Sequence, residues 1–205
     1  MVVLRCTRAL LARLGRGRSP AGSGAAPTAD GGGPAVLGDW YATVFVAARR
    51  PLVLAAAERS LGAVVLPLAP GRTLVPRWRE AVGRKLADLG VAPAQVAGEL
   101  AATADAGVGP VSYREPAGRR MVGVLTDMLY HCEPHVVRLH AGPGLAASGL
   151  TLPAVVPDLA GMEAALDRLP CAPLRYANPA DVMRALFAEA AEGARARAGA
   201  GGLAG

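Results

Sequence analysis

Between Trp40 and Leu66 the chain fits three apolar runs into a stretch whose connections are too short for any crossover. Trp40-Tyr41-Ala42-Thr43-Val44-Phe45-Val46-Ala47 is rich in aromatic and β-branched residues and reads as a strand. The turn Arg49-Arg50-Pro51 leads to a second strand over 52–56, and Glu58-Arg59-Ser60 leads to a third over 63–66. Parallel neighbours need a connection of roughly a dozen residues or more. The expectation is therefore an antiparallel meander.

The flanking sequence supplies the remaining layers. Residues 2–6 read as a short strand, and Thr7 as the N-cap of a short helix whose Leu10, Leu11 and Leu14 share a face and which Gly15 ends. Residues 74–89 form the clearest helix, with Val75, Trp78, Val82, Leu86 and Leu89 in one stripe. Further helices are expected over 93–104, 119–132 and 159–168. A last one is capped by Asn178, has Pro179 in its first position, and buries Val182, Leu186 and Ala190. Residues 141–157 read as irregular, with a brief extended piece at 154–156. Residues 16–35 are Gly, Ser, Ala and Pro with hardly a large apolar side chain, which predicts a disordered loop.

These elements predict one α+β domain: a mainly antiparallel sheet of about four or five strands with the helices on one face. Residues 1–15 and 36–197 belong to that domain, with the loop 16–35 between them and a disordered tail over 198–205.

Charge is uneven. Residues 1–90 hold thirteen basic and five acidic residues, a net +8, whereas residues 91–205 are net −2. A basic half points to an anionic partner, either an acidic protein or nucleic acid. Lys85 is the only lysine beside 21 arginines, and isoleucine is absent. GC-rich coding produces that bias by itself, so the arginine excess alone is not a binding signal. The anion-contact candidates are Arg5, Arg8, Arg49, Arg50, Arg77 and Arg84.

Cys6, Cys132 and Cys171 are scattered, with no Cys-x-x-Cys pair, which predicts reduced thiols in a cytoplasmic protein. Arg5, Arg8 and Arg13 interrupt every apolar core a leader would need, and no run reaches the length of a membrane span. No membrane association is expected, and the sequence assigns no oligomeric state.

His131-Cys132-Glu133-Pro134-His135, with His140 nearby, carries the right atoms for a metal. Pro134 is expected to end the helix near Cys132 and spoil the shared face of the two histidines. No metal or other cofactor is expected. Gly142-Pro143-Gly144 lacks the following helix that a dinucleotide loop requires, and no nucleophile elbow or phosphate loop occurs. The remaining charged set is Asp39, Arg119 and Asp127. Arg119 and Asp127 lie eight residues apart, on roughly one side of a helix. They serve either structural ion pairing, with Arg5 or Asp39 across from them, or a ligand site. Trp40 and Tyr41 point to opposite sheet faces, so at least one of them is a core residue.

Several segments resemble a bacterial family described as domain of unknown function 6933. They are Arg5-Cys6-Thr7-Arg8-Ala9-Leu10-Leu11, Leu37-Gly38-Asp39-Trp40-Tyr41-Ala42, Thr73-Leu74-Val75-Pro76, the stretch from Arg119 to Asp127, and Leu169-Pro170-Cys171-Ala172-Pro173-Leu174-Arg175-Tyr176. Where the family pattern carries Ser and Asn in the fourth stretch, this chain has Arg120 and Thr126. The resemblance implies a fold unit and no substrate, cofactor or catalytic residue. It draws attention to Arg5, Thr7, Asp39, Trp40, Tyr41, Arg119 and Asp127 as binding candidates. The leading expectation is a cytosolic binding or regulatory module for an anionic partner; the alternative is an enzyme using Asp39, Arg119 and Asp127.

Overall fold

The computed structural model describes residues 2–15, 35–140 and 157–201. Most of the expected 16–35 loop, the extended piece at 154–156 and the last residues of the tail lie outside them. The strands are β1 (Val3–Cys6), β2 (Trp40–Ala47), β3 (Arg50–Ala57), β4 (Ala63–Pro67) and β5 (Gly107–Pro110). The helices are α1 (Arg8–Arg13), α2 (Leu74–Asp88), α3 (Pro93–Ala102), α4 (Pro116–His140), α5 (Leu159–Asp167) and α6 (Pro179–Gly201).

The five strands make one sheet in the order β4-β3-β2-β1-β5. The meander forms as expected, with β2 antiparallel to β3 and β3 antiparallel to β4. The hairpin turns on Ala48 and Arg49, both at positive φ, so Arg50 and Pro51 already belong to β3. Two left-handed residues match the right-handed twist of the strands they join. The sheet as a whole is mixed rather than mainly antiparallel, because β1 runs parallel to both β2 and β5. The chain between Cys6 and Trp40 is long enough for a crossover, and β5 pairs with the other side of β1.

The helices cover both faces of the sheet rather than one. Leu4, Trp40, Ala42, Val53, Ala55, Val64 and Leu66 pack with Leu10 of α1, Trp78 of α2 and Met183 and Phe187 of α6. Tyr41, Leu52, Leu54, Ala56, Ala63 and Val65 pack with Met121, Leu125 and Met128 of α4 and Met162 and Leu166 of α5. The cause lies in β3 and β4, where residues 52–57 and 63–66 are all buried. Strands apolar in both parities have no face for water.

Local packing shifts two helical faces. On α2 the buried set is Leu74, Trp78, Ala81, Val82, Lys85 and Leu86, with Val75 and Leu89 only partly buried. Lys85 joins it because its Nζ lies 2.5 Å from Asp167 Oδ1. On α6 the buried face is Ala180, Met183 and Phe187 rather than Val182, Leu186 and Ala190. Met183 lies against Gly62, where a β-carbon would overlap its sulfur.

The open edge of β4 is closed from outside the sheet. Val65 N–H donates to Glu163 Oε1 at 2.7 Å, and Pro67, which faces the same way, has no N–H to leave unpaired. Helix α4 continues through Pro134 to His140 instead of ending near Cys132. The missing N–H leaves one carbonyl, that of Tyr130, without its helical donor. The Tyr130 side chain is on the solvent side of the helix.

Candidate functional site

The parallel strands β1 and β5 send the chain to opposite faces. After Cys6 it enters α1, whose Leu10 belongs to the α2–α6 side of the core. After Pro110 it passes through residues 111–115 into α4, whose Met121 belongs to the other side. Diverging continuations leave a crevice at the carboxyl ends of parallel strands, the place where sheets of this kind bind ligands. A crevice of ≈ 300 Å³ is found there, between Cys6 and Arg8 on one side and Pro110 to Arg114 on the other.

Its walls are fixed by backbone bonds. Val111 N–H donates to the Cys6 carbonyl at 3.0 Å, and Thr7 N–H donates to the Ala42 carbonyl at 2.9 Å. The loop 111–115 lies directly on the first turn of α4, since a β-carbon at Gly118 would overlap the Ser112 carbonyl oxygen. Arg119 Nη1 donates to the Arg114 carbonyl at 3.1 Å and ties the loop from the helix side. Over this frame the Arg8 guanidinium stands 5.7 Å from the centre of the Tyr113 ring, itself 40% exposed. Among the described residues no carboxylate lies within ion-pair distance of Arg8 or Arg114.

The other residues singled out from the sequence divide by what they touch. Asp39 accepts Val3 N–H at 3.0 Å and Arg5 Nε at 2.7 Å, so it anchors the start of β1. Burial opposes the charge on Arg5, but the bond and charge of Asp39 outweigh it and hold the guanidinium pKa above its usual value. Tyr41 is buried on the α4 side, where loss of water pushes its phenol up. Trp40 is buried on the opposite face, edge-to-face with Trp78 at 5.5 Å, so both aromatics of the pair are core residues. Thr7 makes no capping bond; its hydroxyl lies 3.1 Å from that of Thr43.

Arg77 makes five hydrogen bonds, two to Thr73 and one each to the carbonyls of Pro67, Leu68 and Pro70. Arg49 and Arg50 are exposed at the β2–β3 hairpin, and Arg84 is exposed beside a cleft between α2 and α5. Asp39, Arg119 and Asp127 are not brought together. Asp39 is held by Arg5 and Val3, Arg119 bonds the 111–115 loop, and Asp127 lies about 12 Å farther along α4, in a separate cleft. Arg120 is exposed, and Thr126 donates back to the Val122 carbonyl at 2.9 Å.

Within the histidine stretch, His131 is exposed whereas Cys132 is in the core, where burial pushes its thiol up to about 11. The continuous helix places positions 131 and 135 one turn apart, but the side chains of Glu133, His135 and His140 lie outside the described residues. Among the described residues, no group of three or more His, Cys, Asp or Glu is placed to hold a metal ion, and no helix is long and apolar enough to cross a membrane.

Ser112, Tyr113 and Arg114 were not legible as site residues. Gly107-Val108-Gly109-Pro110 carries a single strand-forming residue, so nothing in it announces a strand whose end would matter. No curated protein and no solved structure matches the chain. The profile of the family described as a domain of unknown function (DUF6933) matches residues 3–182, from the first residue of β1 into the start of α6. That span includes the whole sheet and both walls of the crevice, and the chain therefore belongs to the DUF6933 family.

Proposed function

We propose that the protein is a binding module that recognises an anionic partner at the carboxyl ends of β1 and β5. One observation carries this reading: Arg8 and Arg114 line that crevice with no carboxylate among the described residues paired to either. Arginine forks bind phosphate and carboxylate oxygens in pairs. A guanidinium already positioned over Tyr113 loses less side-chain freedom when an anion arrives. The volume suits one phosphate or carboxylate group with its immediate attachment. Arg77 gives less support to a long polyanion lying across the surface, because its guanidinium is taken up by the 67–73 loop. The competing reading, an enzyme built on Asp39, Arg119 and Asp127, has less support because Asp39 is held by Arg5 and Val3, Arg119 bonds the Arg114 carbonyl, and Asp127 lines a separate cleft. Buried thiols at Cys6, Cys132 and Cys171, none in a disulfide, support a reducing compartment such as the cytoplasm.

The test is a titration of the full chain with phenyl phosphate, an acidic peptide and mixed-sequence single-stranded RNA, at low and at physiological salt. The expected result is binding of phenyl phosphate that weakens with salt and is lost on Arg8→Gln or Arg114→Gln, with thermal stability unchanged. Binding that survives both substitutions, or no binding by any of the three probes at low salt, overturns the proposal. Binding of RNA alone moves the contact surface away from the crevice.

A further inference from the structure

A second cleft lies on the α4 side of the molecule and owes nothing to the crevice. It occupies ≈ 320 Å³ between α4 and the loop that joins α5 to α6. Its base is apolar, with Val124 and Met128 from the helix and Leu169 and Cys171 from the loop. The Cys171 thiol stays protonated, because burial and then the charge of Asp127 push its pKa up. A nucleophilic cysteine needs the opposite shift.

The rim is of a different character. Four large apolar or aromatic side chains are exposed among the described residues, and two of them, Tyr130 (65%) and Tyr176 (74%), line this cleft. Tyr176 is held out deliberately. Arg175 and Tyr176 both take positive φ, 54° and 66°, which non-glycine residues adopt only when their surroundings impose it. What imposes it is a knot of backbone bonds around Cys171: its carbonyl accepts Leu174 N–H and Tyr176 N–H, each at 2.9 Å, and its N–H donates to the Ala177 carbonyl at 3.3 Å. The third feature is Asp127, which lines the same cleft with no arginine, lysine or histidine within ion-pair distance among the described residues.

Two exposed phenol rings and an unpaired carboxylate over an apolar base are complementary to one kind of ligand. Ring faces attract a positive charge, and more strongly as water is removed from it. Asp127 repels an anion, and the apolar base gives a bare metal ion no oxygen shell. We propose that this cleft binds a small organic cation, its ammonium or guanidinium group lodged against Tyr130, Tyr176 and Asp127 and its carbon skeleton on the base. The volume is at the lower limit of small-molecule sites, so a single amine the size of an amino acid fits and a folded protein segment does not. The two family-like stretches, Arg119 to Asp127 and Leu169 to Tyr176, each supply residues of this cleft.

The experiment is calorimetric titration of the full chain with choline, benzylammonium and methylguanidinium, each to about 50 mM, a range that reaches millimolar dissociation constants. The uncharged carbon isostere of choline, 3,3-dimethylbutan-1-ol, is titrated beside them. At least one cation is expected to bind, and the isostere to bind at least roughly fivefold more weakly than choline wherever choline binds. Tyr130→Ala, Tyr176→Ala and Asp127→Asn each weaken the bound cation by a similar factor. All three side chains are exposed, so thermal stability, measured in parallel, should stay close to that of the parent chain. Three outcomes overturn the proposal: no heat from any cation, equal binding of choline and its isostere, or undiminished binding by the three variants. Equal binding would leave an apolar cleft without a preference for charge.

Discussion

Replacing Trp78 with Ala tests whether α2 is held to the sheet in the way the packing requires. Trp78 is fully buried, and its ring meets that of Trp40 at 5.5 Å with planes 76° apart, the edge-to-face arrangement. Truncating a core aromatic to alanine costs about 3–5 kcal/mol, from lost transfer energy and the cavity left behind. The aromatic pair accounts for about 0.5–1.5 kcal/mol of that. A single domain is stable by about 5–15 kcal/mol, so this one change removes a large share of it. Urea unfolding followed by far-ultraviolet circular dichroism measures the loss, and Trp40 fluorescence reports on the packing of the sheet. The midpoint should fall with little change in slope. Glu80→Ala, on the exposed side of the same helix, should change stability by no more than about 0.5 kcal/mol. A double-mutant cycle with Trp40→Leu, which removes the partner ring, isolates the ring pair. A loss below about 1 kcal/mol for Trp78→Ala would refute the reasoning, since a fully enclosed indole cannot be removed so cheaply.

Four further changes have definite outcomes. Burial holds the Glu163 carboxyl above its ordinary 4.5, in spite of Val65 N–H and Lys85. The folded chain thus binds this proton more tightly than the unfolded one, so the stability it contributes is full below 4.5 and declines as pH rises through the raised value. Glu163→Gln keeps an oxygen for Val65 N–H and should flatten that part of the pH–stability curve; an unchanged slope refutes the assignment. Gly118→Ala forces a methyl group against the Ser112 carbonyl and should cost about 1–3 kcal/mol, together with phenyl phosphate affinity; neutrality in both shows that the 111–115 loop is not seated on α4. Elemental analysis should find less than one equivalent of any transition metal, because Cys132 lies in the core on another side of α4 from His131. Deleting residues 16–34 behind a short Gly-Ser linker should leave the melting temperature within a few degrees, as their composition offers little to bury; loss of cooperative unfolding contradicts that.

The meander and α2 were legible because short turns and helical spacing are local signals. The mixed sheet was not, because β1 and β5 are four-residue strands whose partners lie far along the chain. The uninterrupted apolar runs of β3 and β4 carry the signal for burial on both faces, because residues of both parities are apolar, and that pattern is incompatible with helices on one face only. Arg5 and Arg8 were singled out by charge alone, and their different fates follow from position. Arg5 stands in β1, where Asp39 reaches it; Arg8 stands one residue beyond Thr7, past the strand end, where Tyr113 reaches it. Ser112, Tyr113 and Arg114 become site residues only through the topology that turns β1 and β5 to opposite faces.

The arginine excess shows why a count of charges is a poor guide to a binding surface. A guanidinium has five N–H donors, and what remains for a ligand is what the fold leaves unused. Arg77 makes five hydrogen bonds to the 67–73 loop, and no direction is left for a bidentate anion. Arg8 stands over a ring, which satisfies its charge in part and none of its donors. The two therefore separate in experiment. Arg77→Gln should lower stability, because the carbonyls of Pro67, Leu68 and Pro70 lose their donors, while phenyl phosphate affinity per folded molecule stays the same. Arg8→Gln should do the reverse. If both substitutions weaken binding equally at full foldedness, the basic surface acts as a diffuse field and not through a built crevice, and the steep salt dependence of such a field would identify it.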